Sequence, residues 1–263
     1  MMESIVQYFP CNHPWQDRIH YFDCVESTNT LAKEMAKKGA PHGTVLIADR
    51  QTAGRGRLGR SFLSPGGMGI YMSVILRYQC QAADLMHLTC ACGVAVCDAV
   101  ESVLQIRPGI KWINDLVYDG KKLAGILTEL VFTENDICAI VGIGLNCGQT
   151  PDDFDPQIRS IATSAAIITG QPANREQLIA HILQQLHSMD SQLLTQREKL
   201  IAQYRQDCIT IGQYVSILQG DAITHGTAVD ILSDGALLVR FQDGSERAVN
   251  SGEVSIRGFY GYV

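Results

Sequence analysis

The chain has 263 residues, 46% hydrophobic and 18% charged, which is the balance of an ordinary folded protein and excludes extensive disorder. Its formal net charge of −6 argues against a broad basic face of the kind that grips nucleic-acid phosphates. No segment reads as the roughly 18 apolar residues of a membrane span, and residues 1–10 lack the basic start and apolar stretch of a signal peptide, so a cytoplasmic protein without a membrane partner is expected.

Nine cysteines form an odd set in a long chain. Cys90, Cys92 and Cys97 lie within an apolar segment, and no Cys-x-x-Cys pair occurs, so reduced core thiols are expected rather than disulfides or a zinc site.

Residues 1–19 show no periodicity and read as an irregular lead-in. Residues 20–25 read as a strand that leads into Glu26-Ser27-Thr28-Asn29. Ser27 or Thr28 makes a good N-cap, and Leu31, Ala32, Met35 and Ala36 form an apolar stripe at helical spacing up to Gly39. The Ser27-Thr28-Asn29 triplet therefore sits at a helix N-terminus. There it caps the helix, or it turns hydroxyls, amide and free N–H groups toward a polar ligand, and the two roles are compatible.

A buried strand over residues 45–49 feeds through Gln51-Thr52-Ala53 into Gly54-Arg55-Gly56-Arg57-Leu58-Gly59-Arg60. Three glycines let the backbone bend closely around an anion while three guanidinium forks grip it, so a phosphate or carboxylate ligand is expected. The spacing imitates the dinucleotide fingerprint and, with Arg60 in place of lysine, the Walker A loop. Both of those open directly into a helix, which Ser61-Phe62-Leu63-Ser64-Pro65-Gly66 cannot supply. The arginines themselves remain the active element.

A strand over residues 70–76 and a long buried helix over residues 84–104 follow, the latter on Leu85, Leu88, Cys92, Val96, Ala99, Val100 and Val103. Lys111-Trp112-Ile113-Asn114-Asp115-Leu116, an Asp119-Gly120 turn and residues 121–129 read as a hairpin that sets Asp115 and Lys122 on opposite sides of one turn. An acid and an amine beside a basic loop suit a metal-assisted or charge-clamped phosphate reaction. A surface hairpin with Lys121 and Lys122 solvated has the same pattern. Residues 137–143 form a nearly continuous apolar strand, and Gly144-Leu145-Asn146 at its end marks either close backbone approach to a ligand or a plain turn.

Residues 158–169 read as a helix ending at Gly170. A second helix starts at Asn174, with Gln177 as capping-box partner and Leu178, Ile182, Leu186, Met189 and Leu193 on its apolar face. Beyond residue 207 come five short strands, at 214–218, 227–232, 237–241, 247–250 and 253–257, which imply a small β barrel closing its own edges. Two domains are expected, residues 1–207 and 208–263.

Five motifs then stand in order over residues 22–146: Ser27-Thr28-Asn29; Gln51 with Gly54-Arg55-Gly56-Arg57-x-Gly59-Arg60; Lys111-Trp112-x-Asn114-Asp115-Leu116; Lys122-Leu123-Ala124-Gly125-Ile126-Leu127; and Gly142-x-Gly144-x-Asn146. In this order they resemble the biotin–protein ligase (biotin-[acetyl-CoA-carboxylase] ligase) family. The resemblance implies an α+β fold, a mixed central sheet flanked by helices of the class II aminoacyl-tRNA synthetase-like, biotin–lipoate ligase kind, with a small C-terminal SH3-like β barrel. It implies an ATP-binding enzyme that forms biotinyl-5′-AMP and pyrophosphate with Mg²⁺, then passes biotin to a lysine of a biotin carboxyl carrier protein.

Carried over residue by residue, Ser27, Thr28, Asn29 and Gln51 would hold biotin, and Gly54, Arg55, Gly56 and Arg57 would close over it and its adenylate. Arg57, Arg60, Lys111 and Lys122 would offset charge, with Lys122 at the carboxyl–phosphate junction. Asn114, Asp115 and Asn146 would surround Mg²⁺ and nucleotide, Asp115 as the metal ligand, and Trp112 and Gly125 complete the binding set. Lys122, Arg57 and Asp115 are the catalytic candidates, and adenine contacts are expected within residues 149–169.

Ile113 stands where the family often has proline, and Leu58 where some members carry a basic residue. Members that double as repressors have an N-terminal helix-turn-helix, for which about 20 residues leave no room, so no DNA binding is expected. A monomer or a weak homodimer paired through a sheet edge is expected. The nearest alternative is a lipoate-protein ligase or octanoyltransferase, similar in fold but with a different lysine context and usually without the Arg-Gly-Arg-x-Gly-Arg loop.

Overall fold

A computed structural model describes residues 2–9, 12–219, 222–250 and 255–258. Its centre is a seven-stranded mixed sheet built from β1 (Ile19–Val25), β2 (Thr44–Gln51), β3 (Gly69–Tyr78), β4 (Gly109–Lys111), β5 (Asp115–Tyr118), β6 (Lys121–Phe132) and β7 (Ile137–Asn146), in the order β1-β2-β3-β7-β6-β5-β4. The β1–β2 pair is parallel and the other neighbours are antiparallel. Strand β3 is buried along nearly its whole length, as expected for a strand covered on both faces.

Helix α2 (Thr28–Lys37) closes one face, packing Ala32 and Ala36 on Leu46, Ile75, Val131, Cys138 and Ile140. The other face carries α3 (Leu88–Leu104), α5 (Arg175–Gln192) and α6 (Arg197–Asp207), which pack on one another. The stretch Ala82–Leu104 is long and apolar enough to cross a bilayer by composition, contrary to the sequence expectation. Within the fold it is a core helix, since most of α3 is buried against α5, α6 and the sheet. The long helix is also broken, a 3₁₀ turn at Ala82–Leu85 preceding α3.

Three further expectations are corrected, and one helix is added. The lead-in is ordered: α1 (Met2–Val6) packs on α5, and Trp15 is 1% exposed just before a 3₁₀ turn at Gln16–Arg18. Strand β7 continues through Gly144 and Leu145 to Asn146, paired with Gly69–Tyr71. The helix expected over residues 158–169 shrinks to α4 (Ala165–Thr169), with Ser164 as N-cap. Residues 156–161 form hydrogen-bonded turns and Ala162 makes an isolated bridge beside β6, where Lys122 N donates to the Ile161 carbonyl (2.8 Å) and Thr163 N to the Lys122 carbonyl (2.9 Å). Helix α6 escapes sequence reading because only Leu200, Ile201 and Tyr204 supply its apolar buried face.

A second, antiparallel sheet comprises β8 (Tyr214–Gln219), β9 (Ala222–Ile231), β10 (Leu237–Arg240), β11 (Glu246–Val249) and β12 (Ser255–Gly258), in the order β11-β10-β9-β8-β12. This is a small SH3-like unit; among the described residues β11 and β12 stand at the two ends of the order. Residues 253 and 254 of the expected last strand lie outside the described residues. The described cysteines are free thiols, and Cys90, Cys92 and Cys97 are fully buried.

Candidate active site

The polar end of the site is assembled at the N-terminus of α2. Ser27 caps the helix, its Oγ accepting from Thr30 N at 3.5 Å. Gln51 Oε1 accepts from Thr28 N (2.8 Å) and Thr28 Oγ1 (3.2 Å), while its Nε2 donates to Ser64 Oγ (2.9 Å). With its oxygen occupied, Gln51 meets a ligand chiefly as an N–H donor. Ser73, buried in the middle of β3, lies 2.8 Å from Thr28 Oγ1 and donates to Asn29 Oδ1 at 2.6 Å.

Both N–H groups of Asn29 are used: Nδ2 donates to the Leu127 carbonyl (3.2 Å) and to Glu129 Oε2 (3.0 Å). Glu129 is bound in turn by Lys33 at 2.9 Å. Burial raises the Glu129 pKa, but hydrogen bonds from Lys33 and Asn29 and the charges of Lys33 and Arg55 outweigh it and hold the carboxyl below its ordinary range. Gly142 makes room for this arrangement, since a Cβ there would stand 2.1 Å from Asn29 Oδ1.

The arginine loop closes on itself. Phe62 N donates to the Gly54 carbonyl (2.8 Å), Gly56 N to the Arg60 carbonyl (2.7 Å) and Arg60 N to the Arg57 carbonyl (3.2 Å). Gly54 is required by close approach, as its Cβ would meet the Phe62 carbonyl at 2.3 Å. Leu58 (φ 55°) and Gly59 (φ 74°) are both left-handed at the tip, a conformation that costs a leucine about 1 kcal/mol. Leu58 is also 58% exposed. No helix follows the loop, in agreement with the rejection of the two nucleotide motifs.

From the loop, Arg57 Nη1 reaches Asn114 Oδ1 at 3.1 Å. Burial lowers the Arg57 pKa, and the nearby Asp115 carboxylate opposes that shift. Asn114 Nδ2 donates to Asp115 Oδ1 (3.1 Å) and to the Ile126 carbonyl (2.9 Å). Lys122 Nζ stands 2.6 Å from Asp115 Oδ1. The β5–β6 hairpin creates this pair: Asp115 opposes Gly125, and a bulge after Leu116 sets Lys122 opposite Val117. Neither residue is a solvated surface charge, their side chains being 27% and 16% exposed for Lys122 and Asp115.

One pocket is lined by Ser27, Thr28, Asn29 and Gln51 on one side and by Arg55, Gly56, Arg57, Arg60, Asn114, Asp115, Lys122 and Gly125 on the other. A second cavity adjoins it through Arg60, Phe62 and Lys122 and runs along Asn146, Gln149, Phe154, Ile158 and Ile161. The expected site residues thus converge, with three exceptions: Gly54 lines neither cavity, its place being set by the approach of Phe62, and the other two lie on and after β4. Trp112 is turned away: its indole donates to the Gly235 carbonyl (2.9 Å) and its N–H to Thr210 Oγ1 (2.9 Å), joining the central sheet to the C-terminal sheet. Lys111 is buried on β4 opposite Asp115 but does not line either cavity. Sequence reasoning missed Ser73, Ser64, Phe62 and the Glu129–Lys33 pair. Of these, only the acid and the amine at a site otherwise rich in cations gave a signal.

Such a pocket, with cations at one end and neutral hydrogen-bonding groups at the other, suits joining an acid to a phosphate-bearing substrate. Residues 21–146 match the Biotin/lipoate A/B protein ligase family, and residues 210–257 match the Biotin protein ligase C terminal domain. The bifunctional ligase/repressor BirA of Bacillus spizizenii is 36% identical over 86% of this chain and 70% of that protein. The biotin–[acetyl-CoA-carboxylase] ligase of Mycobacterium tuberculosis is 35% identical over 87% and 85% respectively. The Aquifex aeolicus biotin protein ligase in complex with biotin and ATP superposes with a TM-score of 0.79 at 29% identity, covering 92% of this chain and 99% of that one. The chain belongs to the biotin protein ligase family.

Proposed function

We propose that this enzyme activates biotin with ATP to biotinyl-5′-AMP and transfers the biotinyl group to one lysine of a biotin carboxyl carrier protein. The observation that carries the reading is the cluster of Arg57, Asn114, Asp115 and Lys122 facing Ser27, Thr28 and Gln51 across one pocket. In the first step a carboxylate oxygen attacks the α-phosphorus and pyrophosphate leaves. Two anions must approach, so Lys122, Arg57 and Arg60 lower the barrier by offsetting charge as it develops. In the second step the carrier amine attacks the acyl carbon, AMP leaves, and the nitrogen loses its proton.

Ser27, Thr28 and Gln51 hold the ring of biotin, with Asn29 steadying them through Ser73 because both of its N–H donors are used. The adenylate is a mixed anhydride that hydrolyses when wet, which gives the Gly54, Arg55, Gly56 and Arg57 segment a task as a cover. The second cavity, walled by Phe62, Phe154, Ile158 and Ile161, takes the nucleotide base beside Asn146. Lys111, Trp112 and Gly125 act as support: Lys111 pairs β4 with Asp115 of β5, Trp112 ties the segment after β4 to Gly235, and Gly125 leaves space beside Lys122.

For Mg²⁺ the donor set is sparse. Among the described residues no three His, Cys, Asp or Glu side chains converge, and Asp115 already holds Lys122. One carboxylate suits an ion that arrives on the ATP phosphates and keeps most of its waters, with Asp115 as its protein ligand; the ion would neutralise phosphate charge. We also propose that residues 1–207 form the catalytic domain and that residues 208–263 form a small C-terminal domain packed against it. A cytoplasmic setting and a monomer or weak homodimer are proposed as well; the net charge of −6 supports a ligase without DNA binding.

Incubation with ATP, an apo carrier domain and either biotin or lipoate tests the reading. Carrier labelling with biotin and not with lipoate is expected; labelling from lipoate alone would overturn it in favour of the lipoate ligase alternative.

A further inference from the structure

The arginine loop is fastened at its base from outside the pocket. Gly67, on the return leg just before β3, donates its N–H to both carboxylate oxygens of Asp49, Oδ1 at 3.1 Å and Oδ2 at 3.0 Å. Arg175, the first residue of α5, holds that carboxylate in turn, its Nη2 lying 3.1 Å from Oδ1. Tyr71, buried on β3, adds a second tie by donating to the Pro65 carbonyl at 3.1 Å. The turn is shaped for this contact: Gly67 is left-handed (φ 75°), and a Cβ on Gly66 would stand 2.9 Å from Asp49 Oδ2.

Above this clamp the two legs of the loop are zipped together. Gln51 N donates to the Ser64 carbonyl (3.2 Å), Phe62 N to the Gly54 carbonyl, and Arg55 and Ser61 form a β-bridge, so the Asp49–Gly67 contact is the outermost rung. Breaking it lengthens the segment that is free to swing and loses bonds to a charged acceptor, which are stronger than neutral ones. Asp49, Gly67, Tyr71 and Arg175 line neither cavity, so they reach the chemistry only through the loop. We propose that Asp49 is a positioning residue: by fixing the return leg it keeps the loop shut over the acyl-adenylate and sets how long that intermediate survives before transfer. This rests on the reading of the loop as a cover. An opened loop admits water, which attacks the acyl carbon; AMP leaves, free biotin forms, and ATP is consumed with no carrier labelled.

The test follows pyrophosphate release from biotin and ATP with no carrier present. A stoichiometric burst reads activation, and the slow phase after it reads loss of the adenylate. Asp49→Asn keeps the shape, removes the charge and replaces one acceptor by an N–H donor. Its slow phase is expected to run about tenfold faster than the wild type's, the size of one lost hydrogen bond, with the burst kept. An unchanged slow phase would overturn the proposal, and so would a lost burst, which would mean a misplaced site rather than an open cover. Tyr71→Phe keeps the ring contact with Phe62, centroids 6.3 Å apart, and removes only the tie to Pro65. It carries the same expectation, so an unchanged slow phase there overturns the proposal if Asp49→Asn fails to fold. Trypsin, which cuts after Arg55, Arg57 and Arg60, separates the proposal from the reading beneath it. If biotin and ATP do not slow that cleavage in the wild type, the loop is no cover and that reading fails first. If they slow it equally in the wild type and Asp49→Asn, with equal slow phases, only the clamp fails.

Discussion

At the scale of single residues, Lys122 and Arg57 are argued to work by charge, and their replacement should show it. Lys122→Ala and Arg57→Ala are each expected to cut adenylate formation by about 10², read by pyrophosphate release, with an unchanged far-UV spectrum. A wild-type rate in either would remove that residue from the chemistry. Gly142→Ala acts through shape: a Cβ 2.1 Å from Asn29 Oδ1 must displace the amide that steadies Thr28 and Ser73. The expected result is a rise of tenfold or more in the KM for biotin, with the ATP KM little changed; an unchanged biotin KM would show that Asn29 has no part in the site. Residues with charge or unusual backbone, such as Arg57 and Lys122, were legible in the sequence because few structural roles account for them. Ser73 was not, because one serine in an apolar strand has no signature until Thr28 and Asn29 are seen to meet it.

At the scale of elements, helical period located α2 and α5, and apolar runs between turn residues located β2, β3 and β7 to within a few residues, because the helices bury one face and these strands are covered on both. The segment before α4 was misread because pairing of Ile161 and Thr163 with Lys122 overrides a pattern of apolar residues compatible with helix. The lead-in was misread because Trp15, Phe9 and His13 act by packing without period. His13 stacks on Phe9 with ring centroids 4.4 Å apart and meets Trp15 and His187 edge-on. Burial, and then the charge of His187, lower its pKa from 6.5 to about 4. The unfolded chain therefore binds the proton first, so this residue makes stability fall as pH drops from about 6.5 to about 4. His42 runs the other way: the hydrogen bond it donates to Asp190 raises its pKa, so its contribution is present below pH 6.5 and is lost as pH rises through the folded-state value. His13→Asn keeps an acceptor for Trp15 N, which His13 Nδ1 supplies at 3.2 Å, and removes the titration. Melting temperatures between pH 7 and pH 4 should then fall less steeply in the variant than in the wild type, whatever its starting value. An identical acid slope would exclude His13 as the source.

For the whole molecule, the question is whether the C-terminal sheet is an appendage or part of one cooperative unit. The sequence showed the change of pattern near residue 207 but gave no means of seeing what joins the two sheets, since Trp112 sits inside a motif that reads as ligand-binding. In the structure Val215, Ile217, Ala228, Ile231, Leu237 and Val239 belong to the same buried cluster as Ile110, Trp112 and Tyr204. Polar ties cross the same boundary: Trp112 to Gly235 and Thr210, Ile209 N to the Ile110 carbonyl (3.0 Å), and Arg205 to Asp230 and the Ile231 carbonyl. Removing residues 211–263 would expose one side of that cluster and leave the Trp112 indole without its acceptor, and a shared apolar core of this kind couples folding more tightly than a linker does. The full chain should therefore melt in one transition, with tryptophan fluorescence and far-UV signal coincident. The truncated chain should lose that transition and, with it, biotin activation. A truncated chain that melts as sharply as the full one and still releases pyrophosphate from biotin and ATP would show instead that the C-terminal sheet is docked on a self-sufficient catalytic domain, and that Trp112 matters only for holding it there.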